Sequence, residues 1–187
     1  MATSGTTSFD LSIEEIIQEA YERCGMTTTS GHSLKSARTS LNLLFAEWAN
    51  RGIHLWKVAL HENALVSGQA EYSVSAGVSD VLEAFISSTA AASNNANTQD
   101  VSLTKIDRSA YAALPNKLVT GQPSQYYVER ETTPKIYLYQ APDLNTYTTL
   151  KYYVIKRIED AGAYTNDADV VFRFLPCMVA GLAYYLA

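Results

Sequence analysis

Three histidines, two cysteines and a few clustered carboxylates are the residues of this chain whose types could carry proton transfer, nucleophilic attack or metal binding. His32, His54 and His61 are scattered. His54 and His61 stand seven apart with a strand-like stretch between them, so they do not share a helix face. His61-Glu62 does not continue as a zinc-binding HExxH motif, because position 65 is Leu. Cys24 and Cys177 sit in separate amphipathic segments without CxxC or Cys/His spacing. They are read as small buried hydrophobes, and the sequence leaves their pairing open. Glu15, Glu19 and Glu22 fall on one helix face at i, i+4 and i+7, with Glu14 beside them. A cation site and a solvated helix face both fit that spacing, and the solvated face is the preferred reading. Arg157, Glu159, Asp160 and Asp169 invite an acid–base role, but loop and cap roles suit them better. The nine glycines are dispersed, so no phosphate-cradling loop is present, and no GxSxG occurs. No catalytic residue, metal ligand or cofactor is assigned.

Tyrosine is the other conspicuous type. The 187 residues include 13 Tyr against five Phe and two Trp. Charged residues are only 18%, and 14 Lys+Arg against 19 Asp+Glu give a net charge of −5. Disorder needs few aromatics and a high net charge, so it is excluded. A phosphate-binding protein carries a basic excess, which is missing. Tyr is enriched and Lys and Glu are depleted at interface cores, so this composition points to surface covered by partners. Tyr126, Tyr127, Tyr137, Tyr139, Tyr152 and Tyr153 lie in strand-like segments interleaved with both signs of charge. Core packing and subunit contact explain them better than base stacking in a positive groove.

Residues 1–10 are small and polar and read as a flexible arm without a secretory leader pattern. Residues 11–54 read as a helical hairpin. Ser12 and Glu15 form a capping box, and Leu11 and Ile16 a hydrophobic staple. The first helix spans about 13–24, stopped by Gly25, and the second runs from near Ser33 to about Asn50, stopped by Gly52. From Leu55 the period becomes two. Residues 55–160 read as an antiparallel β meander with a strand at 55–61, a strand, Gly68 turn and strand over 63–72, and strands at 81–86, 101–106, 125–129, 135–139 and 148–158. Asp107 caps a short helix over 109–114. Residues 87–100, rich in Ser, Ala and Asn, read as an exposed loop. Residues 161–187 read as a polar loop over 161–169 and a helical segment over 170–187 that joins the hairpin in a small bundle. The fold class is therefore α+β. The apolar end, Phe172–Ala187, contains Arg173 and Pro176 and is shorter than the roughly 20 residues of a membrane span. No cap closes the last helix, which predicts that the natural chain extends beyond Ala187.

The order of several motifs carries a resemblance. Ile16-Ile-Gln-Glu-Ala-Tyr-Glu-Arg-Cys-Gly25 precedes Leu41-Asn-Leu-Leu-Phe-Ala-Glu-Trp-Ala-Asn-Arg-Gly52. Tyr111-Ala-Ala-Leu-Pro-Asn-Lys117, Gly121-Gln-Pro-Ser-Gln-Tyr-Tyr-Val128, Pro134-Lys-Ile-Tyr-Leu-Tyr139 and Ala141-Pro142 follow. Phe174-Leu-Pro-Cys-Met-Val-Ala-Gly-Leu-Ala-Tyr-Tyr185 closes the series. Over residues 11–187 the chain resembles the head-to-tail adaptor (connector, tail tubular) proteins of short-tailed bacteriophages.

The resemblance implies a virion structural protein without catalytic residues. Such adaptors form a ring, typically dodecameric, beneath the portal protein. The ring extends the channel through which genomic DNA passes without sequence-specific binding. It also carries the tail nozzle protein and the fibres. Expected partners are thus other copies of the chain, the portal and the nozzle, with no membrane. The expected location is the head–tail junction of the virion, after assembly in the host cytoplasm. Two contact regions are expected. One is the last helix, with Phe174, Met178, Tyr184, Tyr185 and Leu186, whose apolar content exceeds one stripe. The other is the 87–100 loop, with Asn94, Asn95 and Asn97. The rival readings are a single-stranded nucleic-acid module using the Tyr-rich sheet and a small hydrolase.

Overall fold

The computed structural model describes residues 5–6, 9–26, 31–53, 55–88 and 99–187, and only the backbone of His32 and Leu55. The chain is α+β and divides into two compact units. One is made of residues 1–56 and 158–187, the other of residues 57–157.

The first unit is helical. Helix α1 (Ile13–Arg23) begins at the expected capping box. The Glu15 amide donates to Ser12 Oγ at 3.3 Å, and the Glu15 carboxylate accepts from the Ser12 amide at 2.8 Å. The amides of Ile13 and Glu14 donate to the Asn166 and Tyr164 carbonyls, so the loop before the last helix satisfies the rest of that end. At the other end Gly25 takes φ +69, and the Met26 amide reaches back to the Tyr21 carbonyl. Helix α2 (Gly31–Asn50) closes in the same manner at Gly52, φ +77.

The last helix begins later than the periodicity suggests. A short 3-10 turn, Phe172–Phe174, precedes a helix at Leu175–Leu186. Pro176 lacks an amide hydrogen and clashes with a preceding turn, so it is tolerated only at a helix start. Ile13, Ile16, Ile17 and Ala20 of α1, Ala37, Leu41 and Leu44 of α2, and Leu175, Met178 and Leu182 of the last helix share one core. Each large aliphatic chain so buried stabilises by roughly 1.5–3 kcal/mol before entropy is counted.

The second unit is a sandwich of two four-stranded sheets with a smaller two-stranded piece. Its elements are β1 (Val58–Ala64), β2 (Glu71–Ser73), β3 (Val78–Ser87), β4 (Asp100–Ser102), β5 (Thr104–Ile106), α3 (Arg108–Ala113), β6 (Thr120–Gly121), β7 (Gln125–Glu129), β8 (Lys135–Tyr139), β9 (Ala141–Pro142) and β10 (Thr149–Lys156). The last helix, Leu175–Leu186, is α4. One sheet runs β1-β10-β3-β4, the other β2-β8-β7-β5, and β6 pairs with β9.

The strand order departs from a sequential meander. β10, the last strand, lies between β1 and β3, and both β5–β7 and β6–β9 are parallel pairs. β10 earns the central place through Leu150, Tyr152 and Val154, all fully buried. The expected strand at 101–106 divides in two. Its Leu103 is buried and donates its amide to Ala84, so β4 stays with the first sheet and β5 crosses to the second. The expected strand at 55–61 instead opens as a 3-10 turn, Leu55–Lys57. β3 also extends through Ser87, and Ser87 pairs with Asp100, so the 87–100 segment is pinned at both ends. Residues 89–98, with Asn94, Asn95 and Asn97, lie outside the described residues.

Candidate interaction surfaces

The chemistry-bearing residues do not converge among the described residues. Among the described residues, no three His, Cys, Asp or Glu side chains are placed to hold a metal ion. His54 and the His32 side chain lie outside the described residues. His61 stands opposite Tyr152 in β1–β10, ring centroids 6.0 Å apart. Burial, then the Lys156 charge, pushes its pKa below the ordinary histidine value. Neither cysteine is in a disulfide, and they differ. Half-buried Cys24 donates to the Ala183 carbonyl at 3.2 Å, whereas Cys177 is exposed rather than buried as expected, since Leu175, Met178, Val179 and Leu182 take the core face of its helix and 177 falls on the opposite side. Asp169 accepts the Glu159 amide at 3.0 Å, a loop-closing bond of the kind expected for these acids.

Helix α4 sorts its residues by packing. Met178 is fully buried in the helical core and has no surface to offer a partner. Half-buried Phe174 packs on Trp56 (centroids 4.6 Å) and Trp48 (6.1 Å), and Leu186 lies against the same core. Two rings remain outside. Tyr184 is 84% exposed, and the Tyr185 hydroxyl donates to Glu47 at 2.6 Å. That bond lowers the Glu47 carboxyl below its usual range and raises the Tyr185 phenol.

The tyrosines of the second sheet stack on one another. Tyr127 lies 5.3 Å from Tyr111 of α3 and 6.0 Å from Tyr137, with interplanar angles of 20° and 23°. Lys117 sits over the outer face of this group, 5.5 Å from the Tyr111 centroid. Burial raises the Tyr137 phenol to about 12, helped by its bond to Glu129 and the charge of Glu71. A stack that consumes its own faces leaves little room for bases, and Lys135 beside it is already paired with Glu71 at 2.9 Å.

Two apolar surfaces escaped the sequence reading. The first sheet turns Val58, Leu60, Leu82 and Tyr153 outward, each 38–43% exposed. In the helical unit, α1 and α4 flank a groove of about 550 Å³. Its floor includes Leu11, Leu175, Pro176 and Val179, and one wall is the Glu15–Glu19–Glu22 stripe. Phe9 and Phe172 meet edge-to-face at its rim, 6.2 Å apart. Phe9 belongs to the segment read as a flexible polar arm, and its pairing with Phe172 is what reveals it.

Among the described residues no helix is long and apolar enough to cross a membrane. A search of curated proteins finds no match to the chain. The family model described as SU10 adaptor protein matches residues 13–187, nearly the whole of both units, including the paired glycine-stopped helices and the closing Phe174–Tyr185 segment. The chain therefore belongs to the SU10 adaptor protein family, structural head-to-tail adaptors of bacteriophages.

Proposed function

We propose that this protein forms a dodecameric ring beneath the portal at the head–tail junction of the virion, extends the DNA channel, and holds the tail nozzle and fibres. The match of the SU10 adaptor family over residues 13–187 carries this reading. Composition and charge support it. A ring subunit buries two lateral faces as well as an upper and a lower one, so little of its surface needs dense charge. The net charge is carried by one unit alone: five Lys+Arg against ten Asp+Glu in residues 1–56 and 158–187, and nine against nine in residues 57–157. A net-negative conduit releases few counterions from DNA and so lets it pass.

In this reading the helical pieces 11–54 and 161–187 work together, the 55–160 region is a second module, and residues 1–10 are an arm. Tyr184 and Tyr185 serve as a contact with the portal or a neighbouring copy, and the 87–100 loop with Asn94, Asn95 and Asn97 reaches the next ring or the nozzle. The assembly forms in the host cytoplasm. Phage particles made without this chain test the proposal. Filled heads that lose their DNA and carry no nozzle are expected. Tailed, infectious particles would refute the reading.

A further inference from the structure

We propose that the α1–α4 groove of one copy receives the Leu118 loop of the next, a head-to-tail contact with Lys117 facing the glutamate wall. This inference rests on the ring reading and assigns the surfaces that close it.

The groove is built for an aliphatic group accompanied by a cation. Its floor is apolar, and Phe9 and Phe172 at the rim are 62% and 63% exposed. Two adjacent aromatic rings held in water over an apolar floor mark a contact surface. The wall is net acidic. Glu15 is held by the amide and hydroxyl of Ser12, Arg23 neutralises Glu19 at 2.9 Å, and Glu22 has no ionic partner among the described residues.

A symmetric pairing of groove with groove would set one glutamate wall against another, so the two-fold arrangement is disfavoured. The occupant must come from the neutral β unit. There Leu118 is 72% exposed, the most exposed aliphatic side chain among the described large hydrophobics. It does not sit on a loose tip. Lys117 Nζ donates to the Ala112 and Leu114 carbonyls, both at 3.2 Å, the Leu118 amide donates to Asn116 Oδ1, and the Val119 carbonyl accepts from Ala141. The leucine is thus presented already ordered, which removes most of the entropy cost of docking. Lys117 bonds to two carbonyls, lies over the Tyr111 ring and has no carboxylate partner among the described residues, so its charge is available to Glu22. The groove volume exceeds one leucine and accommodates the loop tip, where Pro115 and Asn116 are also exposed. A contact between two different surfaces of the same chain propagates, and closes into a ring where the rotation allows.

Cross-linking of mixed chains tests this. Glu22→Cys and Leu118→Cys are made separately, each with Cys24→Ser and Cys177→Ser, and assembled on a portal ring before treatment with a short bis-maleimide. A covalent dimer is expected from the mixture and not from either chain alone. Leu118→Asp should raise the concentration needed for assembly about tenfold or more, with thermal unfolding unchanged. Phe172→Ser should do the same from the groove side, and Glu22→Lys should restore much of what Lys117→Glu loses. Rings that form with Leu118→Asp as readily as with the natural chain, without the mixed cross-link, overturn the inference and leave the ring reading standing. A natural chain that forms no ring with or without the portal overturns both.

Discussion

At the scale of single residues, two polar side chains show how local structure is held. Ser12 is legible in the sequence because its partner Glu15 lies three residues away, and both halves of the capping box form. Ser12→Ala should cost about 1 kcal/mol in urea unfolding. Asp80 is not legible in that way. Its carboxylate accepts from Arg130, fifty residues on, at 2.7 Å and from the Val81 amide at 2.8 Å, with Lys105 at 3.7 Å. Burial alone would raise its pKa, but these bonds and charges outweigh burial and hold the carboxyl below the ordinary aspartate range. A carboxyl lowered on folding contributes stability above its unfolded value, near 3.9, and loses it as the pH falls through the folded value. Asp80→Asn should therefore lower stability at pH 7 by about 1 kcal/mol, Arg130 being largely exposed. The difference from the natural chain should vanish toward pH 2. A gap that persists at low pH would mean that the charge is not its cause.

At the scale of elements, periodicity and stop signals located the helices, because those are local properties. Gly25 and Gly52 end α1 and α2 where a left-handed residue was expected. Pro176 was visible as well, yet the apolar residues before it suggested a longer helix than its missing amide permits. Pairing between strands was not legible. Nothing near Thr149–Lys156 in sequence says that it enters between β1 and β3, and nothing in 101–106 announces the crossing at Leu103. Gly181 shows how packing fixes an element. A Cβ there would lie 3.0 and 3.1 Å from the two Leu44 methyl carbons, so α4 approaches α2 through a glycine. Gly181→Val should destabilise by about 1–3 kcal/mol, read by thermal unfolding, and Met178→Ala by about 2–5 kcal/mol. The groove beside α4 was half legible. Its glutamate stripe stood out by spacing, but its apolar floor is assembled from Leu11 and Val179 at opposite ends of the chain.

For the whole molecule, an acidic helical unit and a neutral β unit offer no basic excess with which to grip phosphates. Tyr127 and Tyr137 are occupied by each other and by Tyr111. The purified chain should accordingly show no salt-dependent binding to single-stranded oligonucleotides at physiological ionic strength. A steep fall of affinity with salt, the mark of several phosphate contacts, would revive the nucleic-acid reading. Assembly under the portal is tested most directly by size-exclusion chromatography with light scattering, with and without a portal ring. The chain should elute with the portal as a complex whose added mass is that of a ring of copies, even where the isolated chain is a monomer. A chain that neither oligomerises nor elutes with the portal ring would contradict it.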